Sequence, residues 1–236
     1  MSTNAILILA IPLLCLAIGF VMLVVWFAQT MVVQGNKEEA WSTFAQQIKG
    51  VYRPRSLGVS DQVLASHCDW PIHLDTYVAG VKGAAVEYTR LRAFYAVRVP
   101  FELVVTSDPY EPDHTVTSNL QAIPNPMIDI EVSLMTSNPD SARSFLAADN
   151  VRLKFTSVQP INLQIRRRRH WRDTGVSHSI YEVHLQMPKV ITNIDCLVSM
   201  YALVVACLDQ LHLLGYAHHS FADGAVNSPT VVKSPS

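Results

Sequence analysis

The chain has 236 residues, half of them hydrophobic, and a formal net charge of −1 at pH 7. This length is sufficient for one membrane anchor and one folded domain of about 170 residues. Because 18 basic residues are balanced by 19 acidic ones, the composition argues against a general nucleic-acid binder, a class that carries a basic excess.

The first predicted element is a transmembrane helix within an anchor at residues 1–35. Ala5–Val33 contains no charged residue, and this run exceeds the roughly 20 apolar residues that cross a bilayer core. A cleaved signal peptide is the alternative, but its apolar core is shorter and follows a positively charged region. Pro12 would lie within the span, while Trp26 and Phe27 would lie toward its far end, where aromatic side chains meet the membrane interface.

Basic residues near the span predict its orientation. The segment before it has no Lys or Arg, whereas Lys37, Lys49 and Arg53 follow it. The positive-inside tendency therefore predicts a single-pass protein with its N-terminus outside and its domain in the cytoplasm. The cysteines agree, because Cys196 and Cys207 lie too far apart on one predicted helix to form a disulfide, and free thiols suit a reducing compartment.

Residues 36–50 predict a juxtamembrane amphipathic helix. Asn36 stands at its N-cap position, Trp41 and Phe44 belong to a narrow apolar stripe, and Gly50 provides the stop. Residues 51–216 then predict one soluble domain.

The first half of that domain predicts a short helix at residues 60–66, followed by antiparallel strands. Segments between residues 71 and 107 are rich in β-branched and aromatic residues, and glycine and proline separate them. Residues 108–126 contain four prolines and predict a long surface loop. The sheet resumes at residues 127–137.

The second half begins with a well-marked helix. Asn138 is the predicted cap, Pro139 occupies the first helical position, and Asn150 marks the end. Alternating or apolar patterns then predict three strands, at residues 151–157, 161–171 and 179–187.

The last predicted element is a long apolar helix at residues 192–214, with Thr192 and Asp195 at its cap and Gly215 just past its final turn. Asp195 and Asp209 limit its uncharged run to about 13 residues, which is too short for a bilayer, so we expect it to lie buried across the sheet. Residues 217–236 predict a disordered tail. The predicted fold is α+β, with a mainly antiparallel sheet packed by a long C-terminal helix.

Possible metal ligands cluster in "HCDWPIHLD", where His67, Cys68, His73 and Asp75 lie within nine residues. Their types suit zinc, although neither C-x-x-C nor H-E-x-x-H spacing accompanies them. They support a membrane-tethered hydrolase or metal-dependent enzyme as an alternative function. Surface or hydrogen-bonded residues at strand ends are the simpler interpretation. Since no Gly-rich phosphate-binding loop or nucleophile elbow occurs either, we predict no metal and no cofactor.

Two alternating patterns place titratable groups on one face of a strand. Asp129 and Glu131 form one such pair, and His178, Glu182 and His184 form a second group. This spacing permits general acid and base chemistry. It also describes the solvent-exposed face of any antiparallel sheet, on which the glutamates would pair with arginines.

A basic run occurs in "QIRRRRHWRDTG", residues 164–175. In an extended strand its arginines would point to both faces, so we expect a hairpin arm that projects beyond the sheet. Its tip would contact phosphate-bearing headgroups or acidic side chains of a partner. A charged sheet edge that resists aggregation is the alternative. The predicted contact residues are Arg166, Arg167, Arg168, Arg169, Trp171 and Arg172.

The order of these parts resembles a group of uncharacterised bacterial single-pass membrane proteins. They combine an N-terminal helix, a "W-x-x-F-A" helix, a β-rich domain, an "IDIEVSL…NPDSARSFL" step and a closing apolar helix. The resemblance implies an accessory or scaffold role without known catalytic residues, as a peripheral subunit of a larger complex such as a photosynthetic or respiratory one. It is carried by Trp41, Phe44, Ala45, Asp129, Asn138, Pro139, Leu146 and Asp195–Leu214.

The leading prediction is therefore a non-catalytic, membrane-anchored scaffold that binds other membrane-protein subunits. Ala5–Val33 would be its tether and the basic arm one of its contacts. A tethered hydrolase and an anionic-lipid-binding protein remain as alternatives, and nucleic acid is not a predicted partner.

Overall fold

A computed structural model of the protein describes residues 18–24, 35–56, 60–81, 84–107, 120–124, 131–168 and 180–218. The chain divides into two compact units, Met1–Ala40 and Trp41–Ser236. In the first unit, residues 18–24 are helical and their side chains are exposed. The rest of the predicted membrane span, including Pro12, Trp26 and Phe27, lies outside the described residues.

Helix α1 covers residues 35–47, close to the predicted juxtamembrane helix. Asn36 lies inside α1 and is not its cap. In the second unit, Trp41 and Phe44 are completely buried, as expected from their spacing on one helical face. The indole N–H of Trp41 donates to the carbonyl of Ile191 at 2.9 Å, which ties this helix to a segment distant in sequence.

The end of α1 differs from the prediction that Gly50 provides the stop. Lys49 adopts the left-handed conformation, with φ of 56°. Gly50 is needed for a different reason, because a Cβ atom there would lie 2.8 Å from the carbonyl oxygen of Leu64. The absence of a side chain lets the chain pass close to the neighbouring strand.

The described residues form ten strands in one antiparallel sheet. Its order is β1-β2-β3-β4-β9-β8-β5-β7-β6, and β10 pairs with β4. The strands are β1 Val51–Arg53, β2 Gln62–His67, β3 Trp70–Val81, β4 Ala84–Val97, β5 Leu103–Thr106, β6 Gln121–Ile123, β7 Ser133–Thr136, β8 Asn162–Arg167, β9 Ile180–Pro188 and β10 Ala217–His218.

The predicted helix at residues 60–66 is wrong, because this segment forms β2. Cys68 and Asp69 make a two-residue turn into β3, and both have positive φ, at 46° and 69°. Positive φ at both central residues is typical of the turns whose twist matches paired strands. β2 also pairs with β1 on its other side. Sheet hydrogen bonds on both sides therefore override the weak local helix signal.

Helix α2, Pro139–Leu146, begins as predicted. The side chain of Asn138 accepts hydrogen bonds from the backbone N–H groups of Asp140 and Ser141, both at 3.1 Å. Pro139 occupies the first turn, where it has no hydrogen bond to lose. The cap and the proline together determine where α2 starts.

Helix α3, Asp149–Phe155, replaces the predicted strand at residues 151–157. It also contains Asn150, so the prediction that the preceding helix ends at Asn150 is wrong: α2 ends at Leu146. "VRLKF" alternates apolar and charged residues, which favours a strand, but its first and last apolar residues are also one helical turn apart. Val151 and Phe155 are completely buried, whereas Leu153 is 63% exposed. The i, i+4 spacing determines the structure because α3 packs against the closing helix.

The closing helix α4 covers Ile194–Leu213 and packs against β4 and β9. Its cap is Asn193, whose side chain accepts from the N–H of Cys196 at 2.9 Å; Thr192 and Asp195 are not the cap. Gly215 has φ of 75° just beyond the last turn, as predicted. Among the described helices, α4 is the one whose length and hydropathy would allow a membrane crossing, although 50% of its apolar window is buried within the fold.

The sheet continues slightly beyond the predicted end of the domain. In β10, Ala217 pairs with Val97 of β4 and His218 pairs with Ala96, although the predicted tail starts at Ala217. The protein is thus a mixed α+β fold with a large antiparallel sheet and a long C-terminal helix.

Candidate functional site

The two faces of the central sheet differ in character. Residues directly opposite each other in an antiparallel pair point to the same face. One face carries the apolar core under the helices, including Leu91, Leu163 and Val183. We call the opposite side of β3, β4, β9 and β8 the polar face. Its residues are His73, Asp75, Tyr77, Arg90, Arg92, Phe94, Asn162, Gln164, Arg166, Arg168, Glu182, His184 and Gln186.

One carboxylate of the polar face binds two arginines. Arg90 is bidentate to Asp75, with Nε to Oδ1 at 2.5 Å and Nη2 to Oδ2 at 3.1 Å. Arg92 donates its Nη2 to the same Oδ2 at 2.6 Å. The side chain of Asp75 is only 13% exposed, so these charge-assisted bonds are largely shielded from water.

The second carboxylate belongs to a network centred on Arg166. Arg166 donates Nε to Glu182 at 2.8 Å, Nη1 to Gln164 at 2.7 Å and Nη2 to Nδ1 of His184 at 2.8 Å. Since a guanidinium can only donate, Nδ1 of His184 is the acceptor and Nε2 carries the proton. Nε2 lies 3.2 Å from the side-chain oxygen of Gln186, which also accepts from the hydroxyl of Tyr77.

Burial and neighbouring charges determine the protonation of this network. Burial lowers the pKa of His184, the neighbouring Glu182 carboxylate raises it, and the charge of Arg166 lowers it further; the net pKa is lowered. Burial raises the pKa of Glu182, but His184 and Arg166 lower it more strongly, to about 2. At neutral pH the glutamate is therefore ionised and the histidine is neutral.

A second group of side chains surrounds the ring of Phe94. The Cζ atoms of Arg92 and Arg168 lie 5.6 and 4.4 Å from its centre, both within cation–π distance. His73 packs against the ring at 5.3 Å in an edge-to-face arrangement. Burial, and next the charge of Arg92, lower the pKa of His73 to about 4. His73 is therefore neutral at physiological pH.

The predicted metal ligands are not brought together. His67 pairs with Trp70, so it shares the apolar face of the sheet, whereas His73 and Asp75 lie on the polar face. Their alternation along two paired strands sends them to opposite sides. In the portion of the chain that the structure describes, no group of three or more His, Cys, Asp or Glu residues could hold a metal ion.

A histidine and a carboxylate meet instead at the end of the β2–β3 hairpin. Nε2 of His67 lies 2.8 Å from Oδ1 of Asp209 on α4, and the thiol of Cys68 lies 3.9 Å from the same nitrogen. A catalytic triad uses opposite ring nitrogens for the nucleophile and for the orienting acid. Because both groups here approach Nε2, this arrangement does not have triad geometry.

The titratable residues that were predicted to share one face of a strand are only partly observed. Glu182 and His184 do share a face, but they are 5% and 3% exposed, so that face is not solvent-exposed at these positions. Glu182 pairs with an arginine, which agrees with the alternative prediction that the glutamates form ion pairs and do not act in acid–base chemistry. Glu131 is exposed, while Asp129 and His178 lie outside the described residues.

The predicted basic arm is divided by the structure. Arg166 and Arg168 lie on the polar face, and Arg167 is exposed at the end of β8. Arg169, Trp171 and Arg172 lie outside the described residues, so the projecting hairpin remains a prediction.

Sequence reasoning missed the binding of Asp75 by the two arginines of β4. The signal was the i, i+2 spacing of Arg90 and Arg92 in "YTRLRAF", which puts both charges on one face. Only the pairing of Asp75 with Arg90 across β3 and β4 identifies their partner.

No protein-family model matches the chain, and no curated protein matches it. No matching family therefore supports the resemblance to bacterial single-pass membrane proteins. The crystal structure of the mycobacterial trehalose monomycolate transport factor A, TtfA, is similar over 77% of this chain and 98% of that chain, at 12% identity and a TM-score of 0.39. A likeness at that TM-score carries no argument about function.

Proposed function

We propose that this chain is a non-catalytic, membrane-anchored accessory protein that binds other subunits of a membrane complex, such as a photosynthetic or respiratory one. In this proposal Ala5–Val33 is a single membrane span, the N-terminus lies outside and the α+β domain lies in the cytoplasm. The domain binds protein partners and no nucleic acid.

The state of the carboxylates on the polar face carries this proposal. Glu182, with a pKa of about 2, stays ionised at neutral pH and is a weak base. Asp75 is bound by two guanidinium groups. General acid or base catalysis requires a pKa near the working pH and a position within reach of the substrate proton. Paired charges of this kind instead favour a rigid surface whose charges are positioned before binding.

The proposed partner contact begins at Arg167. Arg169, Trp171 and Arg172 continue the basic run in the sequence. Arginines bind acidic side chains through two parallel hydrogen bonds, which gives affinity and orientation together. An aromatic residue among them adds apolar contact area, as in the energetic centres of many protein interfaces.

A pull-down from native membranes in mild detergent tests this function. The full chain is expected to remain in the membrane fraction and to recover a defined set of membrane subunits in constant proportion. The double variant Arg167→Glu and Arg169→Glu should lose them. Arg143→Glu and Arg152→Glu form the matched control, because both arginines make surface i, i+3 pairs on helices and the charge change is the same.

Three results would contradict the proposal. The chain could purify alone from the membrane fraction, or the charge-reversed protein could recover the same subunits. A stoichiometric metal that remains bound through purification would support the tethered metalloenzyme instead. Metal analysis of the purified chain is therefore part of the same experiment.

A further inference from the structure

The hairpin of β3 and β4 is longer than the strands on either side of it. Within the described residues, β2 pairs with β3 up to Asp75 and β9 pairs with β4 from Thr89 onward, whereas β3 and β4 stay paired well beyond these positions. We call residues 77–81 and 84–88 of this hairpin the ribbon. It extends about 17 Å past Thr89 as two strands, at the usual rise of a strand.

The outer part of the ribbon is apolar and exposed. Val78 is 65% exposed, Ala85 is exposed, and Val86 is half-buried. From Val78 to Val86 the sequence contains one charged residue, Lys82. Two strands without a core are marginally stable in water, and an exposed apolar strand pair favours association with another surface. The ribbon is therefore suited to a less polar environment.

The base of the ribbon carries aromatic and basic side chains. Tyr77 and Tyr88 lie opposite each other, and their rings stack at 5.4 Å. Lys189 is exposed and forms a bridge with Tyr88. From its tip to its base, the ribbon thus passes from apolar to aromatic to basic residues. The same order crosses a membrane interface, from hydrocarbon through the aromatic belt to anionic headgroups, and it favours lipid over a protein groove.

The chain from the predicted membrane span reaches the second unit beside the base of the ribbon. The indole of Trp41 donates to the carbonyl of Ile191 at 2.9 Å, and the N–H of Ile191 donates to the hydroxyl of Thr89 at 2.9 Å. Residues 34–40 join Val33, the end of the span, to Trp41. With helix from residue 35, this segment is roughly 15 Å long, close to the length of the ribbon.

The direction of α1 indicates the side from which this segment enters. Beyond the end of α1, Gly50 passes close to Leu64, which the register of the sheet places level with Arg92 of β4. Arg92 lies farther from the tip of the ribbon than Thr89 does. From Trp41 onward, α1 therefore runs away from the tip, and the preceding chain enters from the side on which the ribbon projects.

We propose that the ribbon inserts its tip into the bilayer interface, as a second membrane contact beside the span. This inference rests on the membrane anchor of the proposed function. Glu87 is exposed and lies opposite Val78, so its charge limits insertion to the three residue pairs nearer the tip. Those pairs extend about 10 Å, which matches the depth of about 5–10 Å at which interfacial segments lie.

Depth measurements on the full chain test this contact. The chain is reconstituted at one copy per lipid nanodisc of phosphatidylcholine and phosphatidylglycerol, so that neither a second copy nor a partner is present. A nitroxide label is attached to Ala85→Cys or to Val78→Cys. Both variants carry Cys68→Ser, because Cys68 is the exposed thiol among the described cysteines, and the labelled parent protein is the blank. Substitutions at exposed positions should leave the fold intact.

Val99→Cys is the matched control label. Val99 is another exposed valine, at 47%, but it follows the opposite end of β4, about 40 Å from Ala85 along the strand. The relative access of oxygen and of a water-soluble nickel chelate reports the depth of each label. We expect the label at residue 85 to lie ~5–10 Å below the headgroups and the label at residue 78 to be ~7 Å shallower. The label at residue 99 should be in water.

The ribbon contact is disproved if the label at residue 85 is as accessible to the nickel chelate as the label at residue 99. Equal depths at residues 78 and 85 would exclude insertion by the tip. A label at residue 85 that is in water in nanodiscs but protected in native membranes would show that a protein covers the ribbon, which also overturns the proposal.

The same samples separate this proposal from the membrane anchor on which it rests. A chain that is not retained in the nanodiscs would refute the span and the ribbon contact together. A chain that is retained while its ribbon stays in water refutes the ribbon contact alone. Neither result depends on the recovery of partner subunits, which is measured in a separate experiment.

Discussion

The substitution Glu182→Gln tests the buried ion pair of the polar face. Gln has the same shape and can still accept from Arg166, but it cannot ionise. The pKa of Glu182 is about 2 in the folded protein, compared with 4.5 for the free side chain. This difference corresponds to about 3 kcal/mol of folding free energy at neutral pH. Removal of one partner from a buried pair typically costs roughly 3–5 kcal/mol, which agrees.

The pH dependence of that loss provides a sharper test. Because the pKa of Glu182 is lower in the folded than in the unfolded chain, its contribution to stability is complete above pH 4.5 and disappears as the pH falls toward 2. The difference in unfolding free energy between wild type and Glu182→Gln should therefore be constant near neutrality. This difference should become smaller as the pH falls from 4.5 toward 2. Groups that titrate alike in both proteins contribute equally to the two unfolding free energies, so their contributions cancel in the difference.

Urea unfolding of the full chain in mild detergent, followed by tryptophan fluorescence, measures this difference at each pH. Glu87→Gln is the control, because Glu87 is an exposed carboxylate on β4 and should change stability by less than about 0.5 kcal/mol. A Glu182→Gln protein as stable as the wild type at neutral pH would refute the inferred ion pair. So would a stability difference that persists unchanged on acidification.

Four further substitutions test the fold, each by the change in urea midpoint at constant slope. Gly50→Ala should destabilise by ~1–3 kcal/mol, since its Cβ would lie 2.8 Å from the backbone oxygen of Leu64. Phe155→Ala should lower the unfolding free energy by ~3–5 kcal/mol and Leu153→Ala by less than about 0.5 kcal/mol. Equal losses of stability would favour a strand over α3, because residues 153 and 155 would then share one face. Asn138→Ala should cost about 1 kcal/mol, and an unchanged midpoint would show that the cap contributes nothing.

Several elements follow from local sequence because their signals are complete within a few residues. The start of α2 needs only Asn138 and Pro139, and the position of Gly215 follows from the end of an apolar helix. β9 shows regular alternation, with Val183 and Leu185 in the core. Such signals are reliable because capping and strand alternation depend on neighbours in the chain.

Other elements depend on contacts that a local pattern does not contain. "VRLKF" fits a strand and a helix equally well until α4 is present to bury Val151 and Phe155. Residues 62–67 become a strand because β1 and β3 pair with them on both sides. In both cases the energy that decides between two local structures comes from partners distant in sequence.

The candidate site also combines features that follow from the local sequence with features that depend on distant contacts. An uncharged N-terminal run, an α+β domain and a row of arginines can all be read from the amino-acid sequence, since they depend on composition and period alone. Which charged side chains contact each other depends on the folded sheet. Strand register joins Arg166 to Glu182 and Asp75 to Arg90, and it separates His67 from His73 on opposite faces. A shift of one residue in register would exchange the two faces of a strand, so the charge of the polar face is a property of the assembled sheet.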